Sequence, residues 1–108
     1  MEVGIINIIY KNKKLEKMCN SVKDAKKQIG DKAGKNLILR ITQLSAFENL
    51  QLVPTFLPWR REKLTNYEDR WSIRIDSNFR LEFIALDNNS QISLIKNIEI
   101  VEVSKHYE

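Results

Sequence analysis

Along the first half of the chain, apolar residues return at a helical period; along the second half they alternate with polar ones. Residues 3–10 read as a first strand. Asn12 stands where it can cap a short helix carrying Leu15, Met18 and Cys19. Ser21 is a second cap, before Val22, Ala25 and Ile29, and Gly30 ends that turn. Asp31 is expected to cap a longer helix in which Ala33, Leu37, Ile41 and Leu44 form one stripe. Such a stripe must pack on something. Residues 47–53 close the helical half, and Pro54 and Pro58 bracket a connection containing Phe56, Leu57 and Trp59. Four strand-like segments follow, at residues 61–64, 70–76, 80–86 and 92–103. Residues 66–69 and 87–90 supply turn chemistry between them. The order predicts an α+β fold: an N-terminal strand and helices packed on one face of a largely antiparallel sheet of about four to five strands.

The segment Trp71 to Phe83 predicts a β-hairpin with one apolar face. Trp71, Ile73 and Ile75 share that face, and Leu81, Phe83 and Ala85 must share it too. We expect Ile75 opposite Leu81 and Ile73 opposite Phe83. Asp76 then faces Arg80, and Arg74 faces Glu82. A two-residue loop would mix the faces, so an odd-length loop around Ser77-Asn78-Phe79 is expected. The polar face presents Arg74, Arg80 and Glu82 away from the core.

At 108 residues, 43% hydrophobic and 30% charged, the chain has the size and composition of one small globular domain, residues 1–108. Three Gly and two Pro leave little room for linkers. The one cysteine, Cys19, excludes an intrachain disulfide and suits a reducing compartment. The opening apolar run is short, is interrupted by Asn7 and lacks the basic start of a secretion signal. No segment approaches the roughly 20 apolar residues of a membrane span. A cytoplasmic protein with no membrane partner is expected.

Net charge is +4, and it is unevenly spread. Nine lysines between Lys11 and Lys35 stand against Glu16, Asp24 and Asp31. Such a segment can be a solvated helix surface, the ordinary case; it can attract a polyanion, or receive an acidic partner segment.

The hairpin block Trp71-Ser72-Ile73-Arg74, a turn with Asn78 and Phe79, then Arg80, Leu81 and Phe83, resembles the most recognisable part of one family. The closing Ile98-Glu99-Ile100-Val101-Glu102-Val103-Ser104-Lys105-His106-Tyr107 is similar to the end of its HigB-like members. The family is the RelE/ParE-type toxins of bacterial type II toxin–antitoxin systems, with HigB-like (plasmid maintenance killer) proteins among them. The resemblance implies a small α+β toxin that cleaves messenger RNA, usually at the ribosome, and inhibits translation. It also implies a cognate antitoxin, HigA-like with a helix-turn-helix, and contact with operator DNA only through that antitoxin. No cofactor is implied.

Cleavage through the RNA 2′-hydroxyl needs a base, an acid and cations on the phosphorane. No metal is required, and the sequence offers no clustered His, Cys or carboxylate set to hold one. His106, the one histidine, suits acid or base work, or simply caps the last strand. Tyr107 can stack on a base, donate a proton, or pack against the sheet. Arg74 and Arg80 can grip phosphate through their forks, Arg80 above all, or pair across the hairpin with Glu82 and Asp76. Glu82 is a candidate base with a pairing role as the alternative. Arg61 and Lys63 precede the hairpin, where related toxins place RNA-facing residues, and Lys105 is a further candidate RNA contact. The chain departs from the HigB-like pattern here: Arg61-Glu62-Lys63-Leu64 stands in place of His-Pro-Leu-Lys. Arginine is a poor base, and Lys63 can serve as one only with a lowered pKa. Trp59 and Trp71 read as packing residues. Two other functions remain open: a ParE-like inhibitor of DNA gyrase without nuclease activity, and an inactive module that binds an antitoxin.

Overall fold

The computed structural model describes residues 5–87 and 91–105. Strand β1 spans Asn7–Tyr10. Helices α1 (Lys13–Asn20), α2 (Val22–Ile29) and α3 (Asp31–Leu44) follow. The sheet is then completed by β2 (Glu62–Lys63), β3 (Arg70–Arg74), β4 (Phe79–Ala85) and β5 (Asn97–Lys105). Short 3-10 turns occupy Leu50–Leu52 and Ile92–Leu94, so the last strand starts later than its apolar pattern suggests. The strands lie in the order β1-β5-β4-β3-β2. All neighbours run antiparallel except β1 and β5, which are parallel with Asn7 beside Asn97 and Tyr10 beside Ile100. The expected α+β arrangement is present. Among the described residues no helix is long and apolar enough to cross a membrane.

The helices begin where their caps dictate. Asn12 Oδ1 accepts the Leu15 N–H at 2.9 Å, and Ser21 Oγ accepts that of Asp24 at 3.3 Å. Each satisfies an N–H that the first helical turn leaves without a partner. The third cap differs from expectation. Asp31 is already inside α3, and Gly30 holds the cap position with φ at 94° and no side-chain bond. That backbone geometry lets α2 and α3 follow one another without a spacer.

The stripe on α3 packs as the sequence requires, with Ala33, Leu37, Ile41 and Leu44 buried. Of these, Leu37, Ile41 and Leu44 meet Leu15, Met18 and Cys19 of α1, and Ile73, Leu81, Phe83, Ile98 and Ile100 of the sheet, in one cluster. Each large apolar side chain fully buried there contributes on the order of 1.5–3 kcal/mol relative to exposure. Gly34 is placed where α2 and α3 come closest: a Cβ there would lie 2.6 Å from the Lys26 nitrogen.

The hairpin register departs from expectation. Arg74 pairs with Arg80, Ile73 with Leu81, Ser72 with Glu82 and Trp71 with Phe83. The expected pairs Arg74–Glu82 and Asp76–Arg80 are not formed. The loop is odd in length, as inferred, but longer by two residues. Asp76 explains this: its Oδ1 accepts the N–H of Asn78 at 2.8 Å and of Phe79 at 3.0 Å. The N–H groups of Ile75 and Asp76 both reach the Phe79 carbonyl. A shift of two keeps every side chain on its face, so alternation alone does not separate the two registers.

Between β4 and β5 the ladder slips. Glu82 pairs with Glu102 but Phe83 with Ile100, leaving Val101 unmatched. This bulge sets Glu102 beside Glu82 on the sheet face away from the helices.

Candidate functional site

On that outer face β3 presents Arg70, Ser72 and Arg74, and β4 presents Arg80 and Glu82. Strand β2 adds Glu62, which pairs with Ser72. Two like charges, Arg74 and Arg80, therefore occupy directly opposed positions, an arrangement that costs stability unless an anion or carboxylate intervenes.

Glu62 is that carboxylate. Arg80 Nη1 donates to Glu62 Oε2 at 3.0 Å, and Arg80 Nη2 to the Arg60 carbonyl at 3.4 Å. The Arg80 Nε is buried and has no partner among the described residues, and neither has Ser72 Oγ. A buried donor left unbonded costs roughly 1–3 kcal/mol. Arg80 is buried almost completely, whereas the Glu62 side chain remains 42% exposed. Arg60 approaches the other carboxylate oxygen, Nη2 to Oε1, at 3.7 Å. Its φ of 43° is left-handed, a strained geometry for a bulky residue. This conformation directs the Arg60 carbonyl to Arg80 and the Arg60 side chain to Glu62.

A further guanidinium reaches the site from the helix layer. Arg40 lies on the buried side of α3, its Nε donating to the Arg74 carbonyl at 3.1 Å. It stacks over Trp59 at 5.2 Å, and the Trp59 carbonyl accepts the Arg74 N–H. Burial, and then the charge of Arg74, lower the Arg40 pKa. Arg40 thus holds the end of β3 by its carbonyl while adding positive potential beneath it.

Beside this cluster Arg70 binds Glu82 at 2.8 Å and Glu102 at 3.3 Å, with Tyr67 under its guanidinium. Glu82 is therefore engaged in a structural ion pair, and not with Arg74 as the expected register required.

The structure brings only some of the sequence-derived residues together. Arg74 and Arg80 share the outer face. Arg61 lies on the other side of the sheet, over the Trp71 ring at 5.4 Å, with Nε bonded to the Val53 carbonyl; burial lowers its pKa. Lys63 pairs with Trp71 and so leaves the sheet on that same side. Lys105 pairs with Phe79, again on the helix side. His106 and Tyr107 lie outside the described residues. Glu62, Arg60 and Arg40 join the site without having been singled out. The signal for Glu62 was available: alternation places it opposite in sense to Arg61 and Lys63. Arg40 falls within the apolar stripe of α3, where a charge is itself a signal.

Chemically, the outer face offers guanidinium groups around one half-exposed carboxylate. That set can bind a phosphodiester and accept a proton beside it. Among the described residues no group of His, Cys, Asp and Glu is arranged to hold a metal ion.

No family model matches the chain, and no curated protein matches it. Among solved structures it is similar to the YoeB dimer from Staphylococcus aureus, with a TM-score of 0.56 over 94% of this chain and 98% of that one. The chain has the fold of YoeB. Sequence identity to YoeB is 22%, so the likeness is one of architecture. Three helices on a five-stranded mixed sheet agree with the α+β fold class expected from the hairpin and helix pattern.

Proposed function

We propose that the chain is a toxin of a type II toxin–antitoxin system that cleaves messenger RNA. Its YoeB-like fold supports the general reading. The observation that carries the chemistry is the Arg80–Glu62 contact at 3.0 Å beside Arg74 on the outer sheet face. The HigB-like subtype, a HigA-like antitoxin and action at the ribosome rest on the hairpin and closing residues of the sequence.

In this reading Arg80 and Arg74 grip the scissile phosphate. Arg80 is already oriented by Glu62 and the Arg60 carbonyl, so little order is lost when substrate arrives. Glu62 accepts the proton of the 2′-hydroxyl. The 2′-oxygen forms a bond to phosphorus while the bond from phosphorus to the 5′-oxygen breaks. The guanidinium groups stabilise the charge on the phosphorane. His106 or Tyr107 delivers the proton to the departing 5′-oxygen. The products are a 2′,3′-cyclic phosphate and a 5′-hydroxyl.

The test is primer extension on mRNA from cells arrested by the protein. Discrete cleavage ends are expected, lost in Arg80→Ala and Glu62→Gln variants that keep their helical circular dichroism. Intact transcripts accompanied by DNA breaks would instead indicate gyrase inhibition. Continued growth would indicate an antitoxin-binding module without toxicity.

A further inference from the structure

Folding alone does not account for an arginine at position 60. Its two neighbours are tied down. Trp59 is buried, and its carbonyl accepts the Arg74 N–H at 2.7 Å. Arg61 donates its N–H to the Pro54 carbonyl at 3.1 Å and its Nε to the Val53 carbonyl at 2.8 Å. Between them Arg60 turns with φ at 43°, its own N–H on the Phe56 carbonyl at 2.9 Å. Such a turn needs a left-handed residue, and glycine meets that need without strain. A bulky side chain there costs stability. The Arg60–Glu62 contact does not offset this cost. Both side chains are 42% exposed, and so open a pair adds little. The identity of residue 60 therefore answers to something other than folding.

We infer that Arg60 is a positioning residue for the proposed RNA cleavage, setting the phosphate clamp Arg80 and the proton acceptor Glu62 in one geometry. The inference rests on that functional reading. Arg60 acts on one partner through its backbone and on the other through its side chain. Its carbonyl accepts Arg80 Nη2 at 3.4 Å, and its own Nη2 stands 3.7 Å from Glu62 Oε1. Arg80 Nη1 takes the other carboxylate oxygen, Oε2, at 3.0 Å. Each oxygen of Glu62 so has its own guanidinium, and both favour the ionised carboxylate, the form that accepts a proton. The other charged groups on this face are Arg70 and Arg74 from β3 and Glu82 from β4, with Glu82 already bound to Arg70. Arg40 lies behind the end of β3. When RNA binds, the phosphate neutralises Arg80. The Arg60 guanidinium then keeps Glu62 charged and in place.

The experiment is single-turnover cleavage of an end-labelled mRNA, free and on programmed ribosomes, followed across pH and accompanied by thermal unfolding. Arg60→Gly keeps the carbonyl and the turn but removes the guanidinium. It should be at least as stable as the wild type, yet cut more slowly. The acid limb of its rate profile should move up by about half a pH unit or more, a loss of about threefold or more on that limb. Arg60→Lys restores the charge and should return the limb to its wild-type position. A residue needed only for folding predicts neither the displaced limb nor the rescue. A glycine variant with the wild-type profile overturns the inference and leaves the functional reading standing. A glycine variant that loses stability overturns the account of strain. Arg60→Met then carries the test of charge, and a wild-type limb in it overturns the inference. No cleavage by the wild-type chain on either substrate overturns the functional reading, and the inference with it.

Discussion

Arg80 is fastened to Glu62 by a 3.0 Å charge-assisted bond at the very position where it also confronts Arg74 across the hairpin. The carboxylate thus relieves a repulsion that the strand register creates. It also fixes the plane of the fork. Replacing Arg80 with Lys keeps the charge and removes the bidentate geometry. Cleavage of mRNA should fall by about tenfold or more in Arg80→Lys, while thermal unfolding changes little. An unchanged cleavage rate would show that charge alone suffices.

Gly34 should be intolerant of even one methyl group. A Cβ there would meet Lys26 backbone atoms at 2.6 and 2.8 Å, so α2 and α3 must separate to admit it. Overpacking of this kind costs about 1–3 kcal/mol. Gly30→Ala fails differently: its Cβ has open space, but φ at 94° disfavours an L side chain. Denaturant titration should show both variants destabilised. A neutral Gly34→Ala would mean the helices have slack.

Cys19 should be chemically silent in the native protein. Burial pushes its thiol from 9.0 up to about 12, leaving almost no thiolate at neutral pH. A thiol-reactive chromophore at pH 8 should label Cys19 only after denaturant is added. The sign for stability follows. The raised folded value favours the native state below pH 9.0, and this advantage is lost as pH climbs towards 12. Rapid labelling without denaturant would contradict the packing of α1.

Asp87 ties the end of β4 to the start of β5. Burial raises its pKa, but the Asn97 side chain, the backbone N–H groups of Lys96 and Asn97, and the Lys96 charge together bring it below its ordinary 3.8. The unfolded chain therefore takes up this proton first. The stabilisation is present above about pH 4 and drains away as pH falls through the lower native value. Asp87→Asn should lower the Tm at neutral pH and flatten its decline in acid. Parallel acid profiles for the two proteins would remove Asp87 from the account.

Short-range chemistry was the legible part of the sequence. Asn12 and Ser21 cap their helices because a cap needs only its own side chain and an N–H three residues on. The stripe on α3 and the sharing of faces along β3 and β4 follow from periodicity alone. The register did not, since a slip of two leaves the alternation intact. It was decided by Asp76 bonding forward into its own loop. With the register went the partners of the arginines. Glu82 was expected beside Arg74 and is held by Arg70, while Glu62, two strands from Arg80 in sequence terms, became its carboxylate.

The parallel seam between β1 and β5 has a consequence for how the chain comes into being. Residue 7 finds its neighbour only at residue 97, and β5 is the rib to which both β1 and β4 attach. Until synthesis has passed that rib, the early helices have half a floor and two raw strand edges, and contacts of such long span close slowly. A ribosome therefore holds an unfinished sheet until residue 97 and its successors have emerged. Arg74, Arg80 and Glu62 already share β2 to β4, whereas the Arg70–Glu102 pair closes only once the last strand has been threaded between its neighbours.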